Sequence, residues 1–131
     1  MLSFSSGNTR SVNAQRAVLE ALELAGVSEA NQPDLVLINA SVGHDLAKLS
    51  VAIQAQCPDA RVLGASCAGV VGRDGPGESM HDIALMTISG DGYTIGHVDE
   101  LHGDTSFAKG VELAQALQAT PQAARSALSG A

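Results

Sequence analysis

The chain has 131 residues, of which 45% are hydrophobic, 2% aromatic and 16% charged, and 14 acids against 7 bases give a formal net charge of −7. That length suits one domain with its own core, residues 1–131, and leaves little room for two. The bases Arg10, Arg16, Lys48, Arg61, Arg73, Lys109 and Arg125 are scattered, so the basic patch of a nucleic-acid binder is missing and docking on an anionic membrane is disfavoured.

The opening MLSFSSGNTR lacks a basic start followed by a long apolar run, which predicts no signal peptide. Met1 to Ser5 reads as a short strand, broken at Gly7-Asn8. Ser11 to Ala25 reads as a helix. Its Val12, Ala17, Val18, Ala21, Leu22 and Ala25 recur at three- and four-residue spacing and make one apolar face. Thr9 or Ser11 can cap its start, and Gly26 can end it in the left-handed conformation.

Leu35 to Ile38 is a continuous apolar run between turn residues, as in a strand buried on both faces. Asp45 to Gln56 reads as a second helix with Leu46, Leu49, Ala52 and Ile53 inward, stopped by Pro58. Arg61 to Ser66 is the next strand. Strand, helix and strand with short links predict a parallel, right-handed βαβ unit.

Cys67 to Gly77 reads as a long Gly-rich loop, with Gly72 to Gly77 its mobile part. Asp82 to Ser89 is apolar on both alternating faces, so a central place in the sheet is expected. Gly90-Asp91-Gly92 has the length of a hairpin turn, and Tyr93 to Val98 is expected to return as an antiparallel strand. Thr105 to Gln118 reads as a third helix, and Pro121 opens a final helical turn reaching about Leu128. The expected fold is α/β: a mixed, mostly parallel sheet with helices on its faces and a C-terminal antiparallel hairpin pair. No stretch approaches the length of a membrane span. Two cysteines make no disulfide framework, and the cytoplasm is the expected compartment.

In open α/β sheets ligands bind beyond the carboxyl ends of parallel strands. Those ends carry Asn39, Ser41 and His44 on one side and Ser66, Cys67 and Gly69 on the other. These residues are the candidate ligand crevice. The second helix starts beside it, so its free N–H groups are expected to favour an anionic group there. Cys67 with His44 as base is a thiol-enzyme alternative, although no third group orients the histidine. Gly64 to Gly69 misses the G-x-S-x-G elbow, since Ala68 stands where its second Gly is needed. Neither phosphate-loop motif is present. The histidines 44, 81, 97 and 102 lack zinc-site spacing, so no metal is expected; any one of them has the chemistry of an axial haem ligand.

The stretch RVLGASCAGVVGRDGPGESMHDIALMTISGDGY, preceded by DLVLINAS and HDLAKLSVAIQAQ, resembles the FIST N-terminal domain. The likeness runs from about Ala14 to about Leu117, and the turn Gly64 to Gly69 is its most specific piece. The resemblance implies a sensory module of bacterial signal transduction proteins rather than an enzyme. It implies a small ligand, with amino acids proposed, and a partner such as a histidine kinase or chemotaxis receptor. It also implies haem and nitric oxide sensing in a subset, and a companion domain that follows this one in a longer protein.

Overall fold

A computed structural model describes residues 1–119. The chain divides into two compact units, Leu2–Ser89 and Gly90–Ala131 with Met1. The expected helical turn from Pro121 lies outside the described residues.

The first unit contains β1 (Ser3–Thr9), α1 (Ala14–Leu24), β2 (Leu35–Ser41), α2 (Leu46–Gln56), β3 (Arg61–Cys67), β4 (Val70–Gly72), β5 (Gly75–Gly77) and β6 (Ile83–Ser89). Four strands form one sheet in the order β1-β6-β2-β3, and β4 and β5 form a separate two-stranded ribbon. The fold is α/β with a mixed sheet as expected, but among the described strands only β2 and β3 pair in parallel, so the sheet is not mostly parallel. β6 lies antiparallel to both of its neighbours.

Strand alternation sends Val36, Ile38 and Ala40 of β2 and Ile83 and Leu85 of β6 to one face. There they meet Ala17, Val18, Ala21 and Leu22 of α1 and Leu49, Ala52 and Ile53 of α2 in one buried cluster. Both helices of this unit therefore cover the same face. On the other, Phe4 and Met86 remain 57% and 40% exposed.

Gly7-Asn8 does not break β1, contrary to the sequence reading. A Cβ built on Gly7 would lie 2.0 Å from the Ala21 carbonyl oxygen. Glycine is there because the α1 backbone rests directly on the strand. The helix cap also differs from expectation. Asn13 Oδ1 accepts from the Arg16 N–H at 3.0 Å, as an N-cap should. Gly26, at φ 81°, ends α1 as read from the sequence.

Thr9 and Ser11 instead donate their hydroxyls to Glu20 Oε2, and Arg16 Nε donates to Glu20 Oε1 at 2.9 Å. Hydrogen bonds from Ser11, Thr9 and Arg16 favour the charged form, and the carboxyl falls from 4.5 to about 2. A depressed folded-state pKa contributes stability above the unfolded value of 4.5, and that stability is lost as pH falls through about 2. We expect the Glu20 carboxyl resonance to titrate near pH 2, and the urea midpoints of wild type and E20Q to converge over that interval. Midpoints whose separation does not change with pH would refute it.

The Gly-rich stretch is not a plain loop. Val70–Gly72 and Gly75–Gly77 pair antiparallel, so the antiparallel hairpin of this unit is this ribbon. Tyr93 to Val98, expected as a further strand, joins no ladder. Both edges of β6 are already taken by β1 and β2.

In the second unit, α3 spans Ser106–Ala119. Gly96 packs against it, since an added Cβ would lie 2.6 Å from Leu113 Cδ1 and 2.8 Å from Leu117 Cδ2. No described helix is long and apolar enough to cross a membrane.

Candidate functional site

β2 and β3 run parallel in the register Asn39↔Ala65, Ala40↔Ser66 and Ser41↔Cys67. Their carboxyl ends therefore stop side by side, which was the geometric premise of the candidate crevice. The pleat then divides the candidate residues. Asn39, Ser41 and Cys67 point to one face, and Ser66 points to the opposite one. Asn39 and Ser66 are exposed, as is Gly69.

Ser41 is 1% exposed. Its N–H donates to the Asp82 carbonyl at 2.8 Å and its own carbonyl accepts from His44 N–H at 3.1 Å. Its hydroxyl makes no hydrogen bond among the described residues. A buried hydroxyl left unpaired costs about 1–3 kcal/mol, so this atom is poised for a partner. Beside it, Cys67 Sγ donates weakly to the Ala40 carbonyl at 3.5 Å. The other thiol, Cys57, is fully buried, and desolvation raises its pKa above 9.0.

His44 follows the end of β2 and is 7% exposed. Its Nε2 donates to the His81 carbonyl at 3.0 Å, and the two imidazoles meet edge to face with centroids 5.2 Å apart. Asp45 then caps α2, with Oδ1 accepting from Ala47 N–H at 2.9 Å and Lys48 N–H at 3.4 Å. This corrects the sequence reading of α2: its first free N–H groups are held by its own carboxylate rather than offered to a ligand. An open groove of about 950 Å³ runs between the starts of α1 and α2. Of the candidate residues, His44 alone lines it; Lys48, Asp45 and Val51 are among its other walls.

A haem iron would take an imidazole nitrogen as its axial ligand. His44 already commits Nε2 to a backbone carbonyl, and Asp45 and Lys48 flank it along the groove. That carbonyl bond orients the ring and leaves Nδ1 as its other nitrogen. Among the described residues no three His, Cys, Asp or Glu side chains cluster as metal ligands.

Asp82 was missed in the sequence. It is 2% exposed, and its carboxylate takes Arg10 Nε at 3.2 Å and the Ser79 N–H. The ribbon crosses it so closely that a Cβ on Gly77 would lie 2.6 Å from Asp82 Cγ. The available signal was an acid directly before an apolar strand, preceded by closely spaced glycines. Taken without Arg10, that pattern is no more than a loop meeting a strand.

The family model for the FIST N domain matches residues 34–130, from the residue before β2 to beyond α3. No curated protein matches the sequence.

Proposed function

Because the chain belongs to the FIST N domain family, a family of sensory domains of signal transduction, we propose that it binds a small polar ligand, such as an amino acid, where β2 and β3 end. The observation that carries this reading is the Ser41 hydroxyl, buried and without a partner at the paired strand ends. Asn39 and Cys67 share its face of the sheet, His44 and Gly69 follow the two strand ends, and Ser66 stands on the far side of the pleat as a rim group. The ligand is held by hydroxyl, amide and backbone donors, with no bond made or broken.

The output is a shift between two conformations, which requires unequal ligand affinity for them. In this reading residues 1–131 work as one sensory domain in the cytoplasm of a bacterial cell. They pass the signal to a partner such as a histidine kinase or chemotaxis receptor.

A thermal-shift screen of amino acids and related polar metabolites tests this. A ligand at 100 times its Kd adds about 2.7 kcal/mol to stability. Ser41→Ala removes an unpaired buried hydroxyl, so the unliganded protein keeps or gains stability while the ligand response disappears. A screen with no stabilising compound, or a response that survives in Ser41→Ala, would end this reading.

A further inference from the structure

A second cavity, of about 360 Å³, lies under the β4–β5 ribbon. Its volume falls within the range of small-molecule sites. Asn8, Arg10 and Asp82 form one side, and Asp74 to Gly77 of the ribbon form the other. Asp82 is buried and already satisfied by Arg10 Nε and the Ser79 N–H. Two groups are not satisfied. Asn8 Oδ1 is shut off from solvent and accepts no hydrogen bond. Arg10 uses only Nε on Asp82, and its side chain is 74% exposed, leaving the terminal guanidinium nitrogens for another acceptor.

The cavity is thus built around one unused acceptor and one unused, always-charged fork of donors. A molecule that satisfies both carries an N–H or O–H donor and an anionic group close together. Asp74 on the cavity wall favours the donor end and disfavours a bare anion.

The ribbon is made to lie close and to lift. A Cβ on Gly72 would lie 2.9 Å from Asn8 Cβ, and one on Gly77 would strike the Asp82 carboxylate. At its turn, a Cβ added to Gly75, φ 105°, would meet nothing within 4 Å. Arg73 tethers it through two long contacts, Nη1 to the Ser6 carbonyl at 3.5 Å and to the Leu24 carbonyl at 3.4 Å. Both are near the limit of a hydrogen bond, so the ribbon's tip is held weakly while its base is anchored by buried Val70, and closing over an unpaired Asn8 carries a penalty that a ligand removes.

We propose that the β4–β5 ribbon is the lid of a binding site for a small amino- or hydroxy-carboxylate, held by Arg10 and Asn8. The proposal rests on the reading of the chain as a small-ligand sensor and moves recognition to the β1 side of Asp82, whose backbone carbonyl accepts from the Ser41 N–H on the β2 side.

The test is an amide NMR titration of the whole chain with glycine, glycolate, glutamate and malate. Acetate and ethylamine, each carrying half of the chemistry, are the controls. At least one bifunctional probe is expected to shift Gly72, Gly75 and Gly77 and the Asn8 side-chain amide. The half-probes bind about tenfold more weakly or not at all. Arg10→Gln, whose side-chain amide can still donate to Asp82, lowers the affinity about tenfold or more, and Ser41→Ala does not. Shifts confined to the residues around Ser41 and His44 and unchanged by Arg10→Gln would overturn the ribbon site and leave the sensor reading standing. No shift with any probe also overturns the ribbon site. The sensor reading falls with it only if the thermal-shift screen is blank as well.

Discussion

Gly7→Ala is expected to cost about 3 kcal/mol of unfolding free energy, the upper end for an overpacked core. The added carbon would sit 2.0 Å from the Ala21 oxygen and 3.0 Å from its carbonyl carbon. Those are backbone atoms, so no side chain can turn aside to make room. α1 must move as a body, and its buried face of Ala17, Val18, Ala21 and Leu22 moves with it. Urea unfolding should show a lower midpoint with an unchanged slope, the mark of a stability change without a change in exposed surface. A difference within about 0.5 kcal/mol, as for an ordinary surface substitution, would mean that α1 does not rest on β1 at this point.

The second large effect comes from removing volume instead of adding it. Ile53 is fully buried on α2, among Val36, Ile38, Leu49 and Cys57. Ile53→Ala deletes apolar surface and leaves a hole, for a cost of about 2–5 kcal/mol. Val51, two residues earlier on the same helix, is 66% exposed and supplies the control. Val51→Ala is expected to stay within about 0.5 kcal/mol. Equal losses at both positions would show that α2 presents a different face to the sheet.

Both positions bear on how much of the fold could be read beforehand. Apolar spacing identified Ala17, Val18, Ala21, Leu22 and Ala25 and the inward Leu49, Ala52 and Ile53, all of them buried. It failed at helix starts. Val12, placed on the apolar face, precedes α1 and is 69% exposed, and Leu46, the first residue of α2, is 41% exposed. A first turn has neighbours on one side only, so spacing alone overstates its burial. The parallel neighbours β2 and β3 were legible from the strand, helix and strand with short links, and the central place of β6 from its apolar residues on both alternating faces.

Strand order was not legible, since hydrogen-bond partners leave no trace in periodicity. Nor was the ribbon, whose VVG and GPG look like turn residues. Its pairing depends on the sheet beneath it. At the candidate site Asn39, Ser41, Ser66 and Cys67 fall in the last residues of β2 and β3, and His44 and Gly69 follow them, but a list cannot show the pleat that sends Ser66 away from Ser41. Asp82 was passed over because its role depends on Arg10, 72 positions earlier (82 − 10).

The position of β6 has a consequence for biosynthesis. Ser3 pairs with Ser89, 86 positions later (89 − 3), and β6 alone joins β1 to β2. A nascent chain that has emerged only as far as the ribbon holds β1 with no strand beside it and a βαβ unit with one open flank. Such long-range closure is entropically slow, and unpaired strands are what chaperones shield. The first unit can therefore assemble only after Ser89 has left the ribosome, and translation arrested any earlier yields a chain with two unsatisfied edges.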